Sequence, residues 1–453
     1  MERGIKLKYN IGVVSLGCAK NLVDTEIMLG LLNQNGYRIV NSPEKADILI
    51  VNTCSFIESA KQESINNILE LAQYKEIGKC QQLIVTGCMA ERYKDEIIRE
   101  IPEVDAVVGT GNYHEIADVI KHTFEGDKVI RYGNQDYTPE EGLPRIQSTP
   151  SYTAYLRISD GCDNHCTYCI IPKLRGRYRS RTIESIVAEA RQLADRGVKE
   201  LILIAQDTTR YGIDLYGQHK LHVLLNELCK IDSIKWIRLH YCYPEDITDE
   251  LIDVIAEQPK ICKYLDIPVQ HCNNDILKKM GRRGRKESLM ALIRKIRERI
   301  PEVVIRTSII VGFPGETEQQ FNELKEFVRN IKFDRMGVFM YSQEEDTPAA
   351  LYEGQVEENI KKQRQDELMK LQHDISMENN QKKLGHTFEV LVEGFDHQSQ
   401  FYYGRTYGDS IDIDGKIFFK SKDLIEEGTF IEVTAIKAIN YDLIGEISSE
   451  LSK

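Results

Sequence analysis

The 453-residue sequence predicts an α/β chain in three parts: an N-terminal doubly wound parallel sheet, a central six-unit parallel α/β domain, and a C-terminal small all-β, OB-like barrel. Three observations carry this. Up to about residue 350, short β-rich runs alternate with amphipathic stretches, and strand-then-helix repetition builds parallel βαβ units. From His386 onward the pattern changes to closely spaced alternating runs with turn signals. The length also exceeds what one core sustains, about 250 to 300 residues.

In the first domain, 1–131, strands are expected over 11–16, 47–51, 83–86 and 104–108. Helix stops fall at Gly36 and Gly78, where glycine takes a positive φ without steric penalty. Residues 132–150 hold three of the twelve prolines plus Gly133 and Gly142, without apolar periodicity, and read as a linker. The second domain, 151–350, has strands over 154–158, 200–204, 236–239, 264–267, 303–310 and 336–341. Six units suit an open sheet or an incomplete (β/α) barrel rather than the closed eightfold one. Over 351–383, Val356, Ile360, Leu368, Leu371 and Ile375 mark one face of a connecting helix or helix pair. In the third domain, 384–453, strands are expected over 388–392, 401–404, 411–413, 416–419 and 430–436, with a hairpin at Asp414-Gly415.

Composition narrows the function. Apolar residues make up 42% and charged residues 29%, which excludes disordered, collagenous and coiled-coil classes. No apolar run approaches the roughly 18 residues of a membrane span, and the opening MERGIKLKYN lacks a secretory core, so a cytoplasmic protein without a membrane partner is expected. A net charge of −12 disfavours coating nucleic acid by charge alone, leaving a local basic groove open. In a reducing cytoplasm, eleven cysteines point to metal ligation or catalysis wherever they cluster.

Two clusters stand out. Cys162, Cys166 and Cys169 (GCDNHCTYC) sit just past the first strand of the six-unit domain. Three thiolates on one short loop suit three irons of a [4Fe-4S] cluster, leaving the fourth iron open to a small molecule. A zinc site would want a fourth donor, and His165, wedged between Asn164 and Cys166, is poorly placed for it. Cys18, Cys54 and Cys88 end the runs VVSLGC, LIVNTC and LIVTGC, each at the close of an expected strand. Successive parallel strands bring their carboxyl ends to one sheet edge, so these three converge on a second cluster site. Cys80, Cys229, Cys242, Cys262 and Cys272 lack such geometry and read as structural.

This arrangement resembles the radical S-adenosylmethionine methylthiotransferases over almost the whole chain. The loop GCDNHCTYCIIPKLRGRYRSR, the three spread cysteines, and the ending INYDLIGEI, similar to the last strand pair of the TRAM barrel, carry the resemblance. It implies that the middle domain is a partial (β/α)6 radical-SAM barrel. SLGCAKNLVDTE (15–26) and VNTCSFIESA (51–60) are similar to the branch that modifies a ribosomal protein, whereas tRNA-acting branches usually follow the first cysteine with Gln/Asn-Met-Asn. The implied cofactors are two [4Fe-4S] clusters and S-adenosyl-L-methionine. In the implied chemistry a 5′-deoxyadenosyl radical takes hydrogen from the β-carbon of an aspartate in small-subunit ribosomal protein twelve. The second cluster carries the sulfur, and an electron donor such as flavodoxin or ferredoxin supplies the electron. Aliphatic C–H activation lies beyond any side-chain acid, base or nucleophile, which agrees with this machinery.

The resemblance also places Tyr168 near the adenine; its alternative is packing. Gln206, Asp207, Arg306 and the run Gly312-Phe313-Pro314-Gly315-Glu316 lie by position at cofactor-facing strand ends. Arg175, Arg177, Arg179 and Arg181 alternate and in an extended segment would share a face able to pair with a carboxylate. GRRGRK (281–286) is equally a basic stretch, and Trp236 reads as core. Over 384–453, thirteen acids against six bases give a net −7, a surface suited to a basic protein and unsuited to tRNA. The near alternative is methylthiolation of a tRNA adenosine. The distant one is an iron–sulfur redox carrier, disfavoured because electron-transfer clusters normally use four cysteines.

Overall fold

Strand β3 (Ile48–Thr53) is buried at every position, as a parallel strand covered on both faces must be. It lies inside a sheet whose other members are β1 (Asn10–Ser15), β2 (Arg38–Ile39), β4 (Gln82–Gly87), β5 (Ala106–Val108) and β6 (Val129–Arg131). The order is β2-β1-β3-β4-β5-β6, all parallel, with separate apolar cores on its two faces. This computed structural model describes residues 9–133, 135, 137 and 142–448. Of the two helix stops, Gly36 has φ 87, whereas Gly78 has φ −118, and its small size instead admits the Tyr74 carbonyl.

In the middle domain β7 (Thr153–Arg157) starts the series. A short antiparallel pair, β8 (Ser159–Asp160) with β9 (Arg179–Ser180), brackets the cysteine loop. Then follow β10 (Glu200–Ile204), β11 (Trp236–Leu239), β12 (Ile261–Asp266), β13 (Val304–Val311) and β14 (Arg335–Met340). The six long strands pair in strict chain order, β7-β10-β11-β12-β13-β14, and β14 does not return to β7. Each βα unit therefore adds on the same side as the last, winding an open, partial barrel. The outer helices and strands share one large aliphatic core.

Residues 351–383 contain one long helix, Glu358–Lys382, and not a pair. Of the expected apolar face, Leu368 and Ile375 are buried, while Ile360 is 36% exposed. The rest of the buried face is polar: Lys361, Arg364, Gln372, Ser376 and Asn380. Periodicity counted on apolar residues alone could not see it, because hydrogen bonds stand in for hydrophobicity. Gln372 Nε2 donates to the Phe333 carbonyl at 2.9 Å, and Arg364 pairs with buried Glu316 at 3.0 Å.

The C-terminal module is a closed five-stranded barrel of β15 (Thr387–Asp396), β16 (Phe401–Arg405), β17 (Ile417–Lys420), β18 (Phe430–Ile439) and β19 (Asp442–Ile447). Two expectations fail here. Residues 411–413 form a turn, with Ile411 in the same buried apolar cluster as Ile202 and Ile204 of β10, and Asp414-Gly415 precedes β17 without joining two strands. The fifth strand is β19, within the TRAM-like ending. Residues 405–414 enter the amino-terminal mouth of the partial barrel. There Arg405 pairs with Glu200 at 2.6 Å, Arg335 with Asp409 at 2.5 Å, and the Tyr264 hydroxyl meets Asp414 at 2.7 Å.

Candidate active site between two cysteine triads

The N-terminal triad sits at the carboxyl edge of its sheet. Cys18 caps the amino end of helix Ala19–Gln34, Cys54 follows β3 directly, and Cys88 opens helix Cys88–Glu100. Gly17, at φ 88, makes the convergence possible: a Cβ there would lie 2.7 Å from that of Cys54. Asn21 ties the parts together. Its amide donates to the carbonyls of Leu16 (3.0 Å) and Thr53 (2.9 Å), and its Oδ1 accepts from Arg175 at 2.6 Å and faces the Cys88 thiol. Cys54 is pinned through its own backbone, which exchanges two hydrogen bonds with the Ser64 hydroxyl. Burial pushes the Cys88 thiol up to about 12 and raises that of Cys54, opposed in both cases by the positive charge of Arg175.

The second triad lies on the loop between β8 and β9. Thr167 fastens the loop by donating its N–H to the Met280 carbonyl and its hydroxyl to that of Lys279. Gly281, at φ 71, permits the approach, since a Cβ would stand 2.5 Å from the His165 carbonyl. The Asn164 N–H faces Cys162 Sγ at 3.4 Å, a contact that favours the thiolate, while burial holds the Cys162 thiol up at about 11. Metal coordination removes such protons outright.

The N-terminal triad abuts the segment that follows the barrel-loop triad. Cys88 packs directly against Ile170 and Leu174, immediately beyond Cys169. A buried network clamps the junction: Asp24 receives both Arg157 and Arg175, Arg175 also reaches Asp160, and Glu26 pairs with Arg145 from the segment after the first domain. All eleven cysteines are free. Among the described residues no three His, Cys, Asp or Glu donors converge as on a single ion. Three free thiols in each group suit a [4Fe-4S] cluster, in which each thiolate takes its own iron.

The remaining sequence candidates divide. Tyr168 packs, partly buried, against the apolar cluster of Ile276, Met280, Phe313 and Tyr341. Gln206 and Asp207 follow β10 with their side chains already engaged, Gln206 donating to Asp160 and Asp207 accepting from Asn164 at 2.8 Å. Gly312 closes β13, its N–H taken by Glu316 and its open side filled by Lys361. Arg306 is not at a strand end. It is the third residue of eight-residue β13, level with the end of β12, and pairs with Asp266 at 2.8 Å. The alternating arginines do not all share a face: Arg175 and Arg179 both act on Asp160, while Arg181 pairs with Glu189. Arg175 and Arg181 are spent on ion pairs, whereas Arg177 is exposed. Sequence reasoning missed Lys20, Asn21 and Arg282. Arg282 stacks 3.9 Å from the Tyr243 ring within electrostatic reach of Cys166 and Tyr168.

Residues 10–109 match the Uncharacterized protein family UPF0004, 156–328 the Radical SAM superfamily and 384–447 the TRAM domain. A ribosomal protein uS12 methylthiotransferase RimO of Clostridioides difficile is 53% identical, over 98% of this chain and 99% of that protein. One from Desulforamulus reducens is 54% identical, over 97% and 99%. The chain belongs to the RimO family of ribosomal protein uS12 methylthiotransferases. Like other radical SAM folds, this RimO member resembles the methyltransferase TsrM of Kitasatospora setae, solved with cobalamin and a [4Fe-4S] cluster. The TM-score is 0.56 at 14% identity, over 76% of this chain and 77% of that one, a likeness of fold. Among the described residues of this RimO chain no helix is long and apolar enough to cross a membrane.

Proposed function

We infer that this enzyme methylthiolates the β-carbon of an aspartate in ribosomal protein uS12. The observation that carries the reading is the packing of Cys88 against Ile170 and Leu174, just beyond Cys169, with all six cysteines free, in a chain of the RimO family. Cys162, Cys166 and Cys169 would hold one [4Fe-4S] cluster beside S-adenosylmethionine, and Cys18, Cys54 and Cys88 a second. Bound there, these groups supply the radical and sulfur chemistry that side chains lack. The chain's own residues hold the parts in place. Thr167 and Gly281 fix the first loop, Asn21 and Gly17 fix the second triad, and the Asp24 clamp sets the distance between them. Tyr168, Gln206, Asp207 and Gly312 line the cofactor side of the barrel, with Arg306 deeper in its lumen.

An electron donor of the flavodoxin or ferredoxin class serves the reaction in the cytoplasm. The exposed acids Asp423, Glu426, Glu427, Glu432 and Glu446 of the terminal barrel favour a basic ribosomal protein over tRNA. Mass spectrometry of uS12 treated with the reconstituted enzyme tests the reading: an added methylthio group on an aspartate is expected, and one on tRNA instead would overturn it. Anaerobically reconstituted protein should hold about eight irons. Alanine at Cys162, Cys166 and Cys169, or at Cys18, Cys54 and Cys88, should each remove about half; full iron in either triple variant would mean that its triad is misassigned.

A further inference from the structure

Lys20 is the second residue of helix Ala19–Gln34 and is only 7% exposed. Its ammonium stands 3.4 Å from the centre of the Tyr241 ring, a residue of the middle domain. Among the described residues no Asp or Glu pairs with it. Tyr241, Cys18 and the cation Arg175 act on its charge. Two residues after Cys18 and against a ring of the middle domain, the ammonium lies at the junction between the domain that carries one triad and the domain that carries the other. A buried cation without an anion is costly, and the neighbouring guanidiniums are otherwise arranged: Arg157 and Arg175 both have Asp24, and Arg306 has Asp266.

Tyr241 is built to hold that position. It follows β11 with φ 59, a left-handed conformation uncommon for a side chain of this size. Two bonds brace it there: its N–H donates to Asp266 Oδ2 at 3.1 Å, and its carbonyl accepts from the Thr208 N–H at 3.0 Å. Strain retained by such bracing clusters at functional sites. The ring supplies a cation–π surface but leaves the ammonium's charge uncompensated.

We propose that Lys20 is a specificity-determining residue that binds the carboxylate of the acceptor aspartate. The argument is one of placement. The carbon that loses hydrogen at one triad must receive sulfur from the other, so it has to sit between them. In aspartate that carbon is bonded directly to the carboxylate carbon. A pocket presenting the one between the triads brings the other to the ammonium that already waits there. The inference rests on the proposed aspartate acceptor.

The test measures binding of the anaerobically reconstituted holoenzyme to uS12 carrying either aspartate or asparagine at the acceptor position. Wild type should prefer aspartate by about 10- to 100-fold, the worth of one charge-assisted contact. Lys20→Met should reduce that preference to near one while binding the asparagine protein as wild type does. Lys20→Arg should restore part of the preference, and iron content measured on each variant guards against loss of a cluster. An undiminished preference in Lys20→Met would overturn the assignment. So would a fall in S-adenosylmethionine affinity with aspartate preference intact, which would give the carboxylate to the cofactor. If wild type modifies neither uS12 protein, the functional reading fails and this inference with it. If wild type modifies the aspartate protein and Lys20→Met still discriminates, only the role of Lys20 fails.

Discussion

Asn21 supplies no iron ligand, yet it touches every part of the N-terminal triad's frame. One fully buried amide serves two carbonyls, the Arg175 guanidinium and the Cys88 thiol. Asn21→Ala would strand the two carbonyls and Arg175 in a buried setting, at a cost of about 2–4 kcal/mol. The expected result is loss of the N-terminal iron alone, from about eight to about four per chain, with the barrel-loop cluster's spectrum retained. Full iron in this variant would show that the frame tolerates the loss. At this scale the sequence is legible where position alone decides the matter. Cys18, Cys54 and Cys88 stand out because a βα unit returns each strand end to one edge, and Cys162, Cys166 and Cys169 because one short loop holds all three. Lys20 and Asn21 sit beside Cys18 in SLGCAKN, but their partners Tyr241 and Arg175 belong to another domain. No local pattern marks such a pair.

Elements were legible where apolar spacing dictates them and illegible where ion pairs replace it. The six long strands of the middle domain follow from their aliphatic runs. The turn at 411–413 reads as a strand because Ile411 and Ile413 alternate around an acid, yet the acids and the arginine nearby are what fix the segment. Glu200, the first residue of β10, is fully buried between Arg238 at 2.9 Å and Arg405 at 2.6 Å. Burial alone would raise its carboxyl, but the two guanidiniums prevail and hold it at about 2. A depressed carboxyl contributes stability that is present above its unfolded value, near 4.5, and lost as pH falls toward about 2. The single tryptophan reports this docking, since Trp236 packs edge-on against Phe430 of the terminal barrel at 4.9 Å. Wild-type Trp236 fluorescence should shift to the red as pH falls from about 4.5 to about 2. Glu200→Gln leaves buried Arg238 without its carboxylate and Arg405 with Glu393 alone, costing about 3–5 kcal/mol, and should show the shifted emission at neutral pH. Unchanged emission in that variant would mean that the apolar contacts around Trp236 dock the barrel unaided.

Across the whole molecule, charge is partitioned between the junctions and the surface. Of the terminal barrel's acids, Asp409 and Asp414 are committed to the middle domain, and Glu393 is held by Arg405 at 2.6 Å. Composition over 384–453 counted them all alike and so overstated the free negative face. What remains outward is concentrated in the loop between β17 and β18, where Asp423, Glu426 and Glu427 are exposed against the single cation Lys422. A local excess of this kind acts on encounter more than on the bound state, raising the association rate with a basic partner. Its reach is about 10 Å at 0.1 M salt and about 3 Å at 1 M. Replacing the three acids together, as Asp423→Asn, Glu426→Gln and Glu427→Gln in the full-length chain, should slow association with uS12 roughly 3- to 10-fold at low salt. The dissociation rate should hardly change, and the difference should vanish near 1 M salt. Stopped-flow association at several salt concentrations measures this directly. Equal rates for the variant and wild type at low salt would place the docking surface elsewhere on the molecule. Tight, salt-sensitive binding of tRNA by the wild type would give the terminal barrel to the rival substrate.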